Sequence, residues 1–285
     1  MAKSNWDTIL KDVDAELNGE GAMPSDWIST GNYCLNKLLS GDLERGIPVG
    51  RVIALAGESG TGKSLLTSCM MREAQKKGYY CVVFDSEAAM DASFLGNLGV
   101  DSKKLAYIAV DTIEDFRIKI VKLLEGIEDR KVLFVLDSMG NLASKKELQD
   151  TLDGKAASDM GIRAKLLRAT FRVLSKMIES KDATLIVTNH TYTDASGYVP
   201  MQVMSAGKGL FYNSSIVLML KKRKLKEGKE TLGVTITATT DKNRFVPPFK
   251  SIALDLNFEH GMGKYTGLLD VLIEQGIIIF VTEKK

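Results

Sequence analysis

Cysteine is scarce, at three in 285 residues. Cys34, Cys69 and Cys81 have none of the spacings that hold a metal or build a disulfide framework. An odd count without a secretory leader fits a reducing compartment. Cys69 and Cys81 fall in apolar patterns, where a thiol acts as a small buried hydrophobe. No apolar run approaches the ~20 residues needed to span a bilayer, and the N-terminus has no apolar signal core. The expectation is a soluble, intracellular chain with no membrane partner. Net charge is only +2, which excludes overall electrostatic attraction as the basis of any nucleic-acid binding and leaves that to local clusters. Internal repeats and low-complexity segments are missing as well.

What is present supports a packed core. Hydrophobic residues make up 45% and charged residues 26%, and the length suits one large α/β domain with small appendages. Near the start, Trp6, Ile9, Leu10, Val13 and Leu17 recur at helical spacing. Ser4 and Asp7 form a capping box and Gly19 a stop, and residues 18–26 read as a linker. Such a tethered helix can fold onto its own domain or onto a neighbour. From Trp27 onward, apolar strand patterns at 51–56, 80–84, 106–110, 132–136, 184–188 and 215–220 alternate with helical patterns at 63–77, 91–98, 112–125 and 157–180. That alternation predicts an α/β fold with a mainly parallel central sheet and helices on both faces. Residues 218–224 and 234–240 flank a Lys-Glu-Gly-Lys turn and predict a C-terminal β-hairpin.

The chemistry begins at Gly57-Glu58-Ser59-Gly60-Thr61-Gly62-Lys63-Ser64, a complete G-x-x-x-x-G-K-[ST] phosphate-binding loop between an apolar strand and a helix. Its glycines let successive N–H groups converge on a polyphosphate, and the helix start adds its dipole. Lys63 can reach the β/γ-phosphates and Ser64 can ligate Mg²⁺. The run Val132–Leu136 ends in Asp137, the pattern of a buried strand whose carboxylate emerges beside the loop to hold Mg²⁺. Three further groups keep two readings each. Glu87, after the strand ending Val83-Phe84-Asp85, can polarise an attacking water or be a solvated loop carboxylate. His190, in Thr188-Asn189-His190, can sense a γ-phosphate or be a surface histidine. Asp241-Lys242-Asn243-Arg244 can clamp phosphates or form a solvated turn.

These elements, in this order, resemble the RecA-type recombinases, and among them the phage members. The specific residues are 137–147 (Asp-Ser-Met-Gly-Asn-Leu-Ala-Ser-Lys-Lys-Glu), Ser158-Asp159-Met160, Asn189-His190-Thr191-Tyr192, Lys226-Glu227-Gly228 and Tyr265-Thr266-Gly267-Leu268-Leu269-Asp270. The resemblance implies a catalytic role for Glu87, adenine contacts from Asp91 and Phe94, and a bridge by His190 between the γ-phosphate and a DNA-binding loop. It implies that Lys242 and Arg244 reach a neighbouring subunit's ATP. It places one DNA-binding loop at about 148–161, with Met160 wedged between bases beside Gly161, leading into a helix that carries Lys165, Arg168 and Arg172 on one face. A second, at 193–209, has a composition that predicts a long structureless loop. Its Ser205, Ala206, Gly207 and Lys208 lie before the helical Leu210-Phe211-Tyr212. The Lys221–Lys224 cluster stays open between a duplex-DNA site and a solvated hairpin.

The division expected from the resemblance is an N-terminal polymerisation helix and linker at 1–28, an ATPase and DNA-binding core at 29–264, and at 265–285 the start of a truncated or minimal C-terminal region. The implied function is ATP-dependent homologous pairing and strand exchange by a helical filament of the chain on single-stranded DNA, with Mg²⁺ and DNA-stimulated ATP hydrolysis. The implied partners are single-stranded DNA, homologous double-stranded DNA, further copies of the chain, a loading mediator and a single-stranded DNA-binding protein. The location would be the cytoplasm, the host cell's if the chain is phage-encoded. The alternative is another RecA-fold ATPase acting on DNA, a recombination mediator or a hexameric helicase motor.

Overall fold

The computed structural model describes residues 23–88, 90–155, 160–194, 201–205, 208–227, 230–257 and 259–279. The expected helix over Trp6–Leu17 lies outside the described residues, as do Ser158, Asp159, Ala206, Gly207 and the side chain of Met160.

The elements run β1 (Trp27–Ile28), α1 (Tyr33–Ser40), β2 (Ile47–Pro48), β3 (Val52–Gly57), α2 (Lys63–Lys76), β4 (Tyr80–Asp85), α3 (Ala92–Asn97) and β5 (Leu105–Ala109). There follow α4 (Ile113–Glu125), β6 (Val132–Asp137), α5 (Lys145–Leu152), α6 (Met160–Ser180), β7 (Thr184–Asp194), β8 (Met201–Met204) and α7 (Lys208–Asn213). The chain continues with β9 (Ile216–Glu227), β10 (Glu230–Asn243), β11 (Ser251–Asn257), β12 (Gly261–Met262) and α8 (Leu268–Glu274). The main sheet has the order β12-β11-β10-β9-β3-β7-β6-β4-β5, with β8 added against β7, and β1 and β2 form a separate pair. From β9 to β5 the neighbours are parallel. From β9 outward to β12 they are antiparallel, and β9–β10 is the expected hairpin.

β3 and β6 are buried at every position, as parallel strands covered on both faces must be. Alternation divides β3 between two apolar layers. Ile53 and Leu55 join Leu66, Met70, Val83 and Leu218 under α1 and α2, and Ala54 and Ala56 join Phe84, Phe116, Phe134 and Phe171 under α4 and α6. The sheet is thus a rigid platform whose parallel strands all deliver their carboxyl ends to one edge.

Two expectations about loops are corrected. Residues 145–152, whose latter half was assigned to the first DNA loop, form a helix. Ser144 Oγ accepts the Glu147 N–H and Glu147 reaches back to the Ser144 N–H, a capping box that starts a helical turn. The second loop is not structureless throughout, because Met201–Met204 pair antiparallel with Thr191–Asp194 and extend β7 as a ribbon beyond the sheet.

Candidate nucleotide site and nucleic-acid interface

The site collects at the carboxyl ends of four adjacent strands. Gly57 of β3 pairs with His190 of β7, and Asp85 of β4 pairs with Asp137 of β6. Gly60 and Gly62 adopt φ of 69° and 83°, a region L side chains rarely enter. A Cβ on Gly62 would also meet Leu256 Cδ1 at 2.7 Å. Lys63 opens α2 and its Nζ donates to the carbonyls of Gly57 and Glu58, both at 2.9 Å. Burial pulls the Lys63 pKa down and nearby Lys222 adds to this, while Asp137 and Glu87 pull it back up. A hollow of backbone turned around a buried cation at a helix start fits a polyphosphate.

Asp137 is 2% exposed. Its Oδ2 accepts Ser64 Oγ at 2.6 Å and its Oδ1 accepts the Thr188 hydroxyl. Burial raises its pKa; the two hydroxyl donors oppose this, and the charges of Glu87 and Asp85 add to it. Among the described residues no group of three or more His, Cys, Asp or Glu side chains is placed to hold a metal ion. A single carboxylate with a hydroxyl nonetheless fits Mg²⁺, which keeps waters and is usually held by one or two carboxylates plus substrate phosphates.

Glu87 lies beside this pair. Its Oε1 accepts Ser138 Oγ at 2.5 Å and stands 2.7 Å from His190 Nε2. Burial pushes the Glu87 pKa up, but the bonds from Ser138 and His190 and the charges of His190 and Lys63 outweigh it and hold the carboxyl below its ordinary value. Glu87 is therefore ionised at neutral pH, as a group that polarises water must be. His190 is tied to the 193–209 segment as well, since its carbonyl accepts the Ser205 N–H at 2.9 Å. Ser205 Oγ donates to Asn189 at 2.8 Å. The Glu87 and His190 side chains are both partly buried and hydrogen-bonded to each other.

A family model described as the RecA N-terminal domain matches residues 11–263. The chain belongs to that family. It is 34% identical over 259 residues to the Recombination and repair protein of Enterobacteria phage T4, covering 89% of this chain and 65% of that protein. It thus spans less than two thirds of the phage relative's length. It is 29% identical over 290 residues to Protein RecA of Campylobacter fetus, covering 97% of this chain and 81% of that one. With Protein RecA of a Nitratiruptor species the identity is 30% over 286 residues, at 95% and 80% coverage. The fold is similar to that of the RadB recombinase crystal structure, with a TM-score of 0.62 at 19% identity over 83% of this chain and 99% of that one. The likeness to phage recombinases expected from residues 137–147 is borne out.

The remaining positions expected of a RecA-family chain take varied places. Asp91 caps α3 through the Phe94 N–H at 2.7 Å, and Phe94 packs partly buried against the core. Gly161, Lys165, Arg168 and Lys208 are exposed, and Arg172 continues the exposed face of α6. Lys222 was not among the expected nucleotide contacts, yet its Nζ donates to the Ser59 carbonyl at 2.5 Å and sits 2.8 Å from where a Gly60 Cβ would be. Asp85, Ser138 and Thr188 also support the site without having been singled out; each stands at or beside the end of a strand already flagged. Lys242 and Arg244 are not brought to the phosphate loop of their own chain. Lys242 pairs with Val217, which is level with Ala54, three residues or ~10 Å before Gly57 along the strand. Its Nζ instead donates to the carbonyls of Phe211 and Tyr212 at the end of α7, both at 2.9 Å. Burial above all, and then Arg244, lower its pKa to about 8. Arg244 is exposed. No helix among the described residues is long and apolar enough to cross a membrane.

Proposed function

We propose that this chain is an ATP-dependent strand-exchange protein that polymerises on single-stranded DNA, pairs it with homologous duplex and hydrolyses ATP between subunits. The observation that carries the reading is a division of labour in the sheet. The loop with Lys63 and Ser64, together with Asp137 and Glu87, lies at one edge, while Lys242 lies back along β10, out of its reach, and Arg244 follows the strand's end, its N–H on the Ser215 carbonyl. Such a site is completed by a second copy, which makes hydrolysis a property of the filament.

Within one subunit the loop N–H groups and Lys63 would hold the triphosphate, with Asp91 and Phe94 at the base. Ser64 and Asp137 would hold Mg²⁺, which when bound neutralises developing phosphate charge. Glu87, kept ionised and aimed by Ser138 and His190, would orient and polarise the attacking water. The Glu87–His190–Ser205 connection would report the γ-phosphate to the second DNA loop, so that ATP favours the DNA-binding state and hydrolysis favours release. DNA phosphates would be met by Lys165, Arg168, Arg172 and Lys208, with Met160, Gly161 and residues 205–207 nearest the bases. Residues 1–28 would dock on the neighbouring core of 29–264, with 265–285 opening a C-terminal region. A loading mediator and a single-stranded DNA-binding protein would assist assembly in the cytoplasm. Phosphate release should rise strongly when single-stranded DNA is added; a rate indifferent to DNA overturns the reading.

A further inference from the structure

The catalytic carboxylate is held from two sides, and only one of them touches its own side chain. On the other side stands Asp85, the last residue of β4, 3% exposed. Its Oδ1 accepts the N–H of Glu87 at 2.7 Å and of Ala88 at 2.8 Å. Its Oδ2 accepts the N–H of Met90 at 3.3 Å and the hydroxyl of Tyr107 at 2.8 Å. Four donors thus converge on one carboxylate, three of them from the backbone of the turn that carries Glu87. The turn needs a restraint, because Ala88 has φ of 52°, which an alanine adopts only when its surroundings impose it. Tyr107 comes from β5 at the sheet edge and is 49% exposed, so the lock is fastened from outside the nucleotide site.

We propose that Asp85, oriented by the Tyr107 hydroxyl, is the positioning residue that sets Glu87 for catalysis. The inference rests on the ATPase reading above. Asp85 accepts its hydrogen bonds from the turn and from Tyr107, and acts on Glu87 through the backbone of the turn. A carboxylate accepts on both of its oxygens. In Asp85→Asn one of them becomes an N–H₂ group facing donors, and the turn loses its fixed conformation. A displacement of about 1 Å at a reacting group is enough to cost on the order of 100-fold in rate.

The test compares Asp85→Asn, Tyr107→Phe, Glu87→Gln and the Asp85→Asn/Glu87→Gln pair in DNA-stimulated ATP hydrolysis and in backbone hydrogen exchange without nucleotide. Asp85→Asn should lower kcat about 10- to 100-fold with KM for ATP little changed. Tyr107→Phe should lower kcat in the same direction by less, and both should speed exchange at the Glu87 and Ala88 amides. The double variant should be no slower than Glu87→Gln alone, because the two act as one unit. A slow Glu87→Gln beside a wild-type Asp85→Asn, or strictly multiplicative losses in the double variant, overturns the proposal. If Asp85→Asn does not fold, unchanged kcat and exchange in Tyr107→Phe overturn it as well. A Glu87→Gln variant as fast as wild type would instead remove the catalytic role given to Glu87, and a wild-type chain that releases no phosphate with DNA present would overturn the ATPase reading itself.

Discussion

Thr188→Val is a small change with a calculable cost. Thr188 is fully buried and gives its hydroxyl to Asp137 Oδ1, leaving Ser64 as the other side-chain donor to that carboxylate. A hydrogen bond to a charged group is worth about 1.5–3 kcal/mol, and valine suits a buried strand, so the net loss should sit toward the lower part of that range. Its pH dependence identifies the cause. Burial already raises the Asp137 pKa, so over the window above the ordinary carboxylate value the folded chain holds the proton longer than the unfolded one. Stability from this group therefore falls as pH rises through that window, and the full cost of the ionised form persists above it. Removing a donor enlarges the cost and widens the window. Urea unfolding of nucleotide-free protein across a pH series should show wild type and Thr188→Val close together in acid and diverging toward neutrality. The Mg²⁺ needed for half-maximal ATP hydrolysis should rise about tenfold, which corresponds to ~1.4 kcal/mol. A stability difference that is the same at all pH values, with an unchanged Mg²⁺ requirement, would refute the role given to this hydroxyl.

Two further outcomes are expected. Mixing Lys63→Ala subunits with Arg244→Ala subunits should restore part of the hydrolysis that each lacks, since a junction can then combine an intact loop with an intact cation; no rescue at any ratio contradicts a shared site. Lys242 has its pKa lowered to about 8, mainly by burial, so the folded chain sheds that proton before the unfolded one does near ~10.4. Its charged form costs stability below about pH 8, and the cost fades as pH climbs toward ~10.4. Wild type should accordingly gain on Lys242→Met through that interval in thermal unfolding of the DNA-free protein, and a flat difference would contradict the burial argument.

The parts of the site that were legible in the sequence are those whose backbone demands leave a compositional trace. Gly60 and Gly62 announce the phosphate loop because their φ angles exclude other residues, and Asp137 stands out because five apolar residues bury the strand before it. Glu87 and His190 were legible as strand-end residues, but their meeting depends on β6 and β7 lying between β3 and β4, which spacing along the chain does not encode. The same holds for Ser138 and Thr188, whose partners Glu87 and Asp137 lie far away in the chain, and for the bond that Tyr107 gives Asp85 from the neighbouring strand. In the Lys221–Lys224 cluster, alternation predicts two faces without saying which one meets the phosphate loop; the structure gives Lys222 to it. Residues 148–152 read as loop because their helix is exposed and mostly polar and buries none of its residues, and the Ser144–Glu147 capping box is what marks its start.

The account stands most directly on whether copies of this chain share their ATP sites along DNA. Negative-stain electron microscopy of the protein with single-stranded DNA and a non-hydrolysable ATP analogue measures this. Helical filaments that need both DNA and the analogue are predicted. Closed rings, or isolated particles with both present, would contradict it.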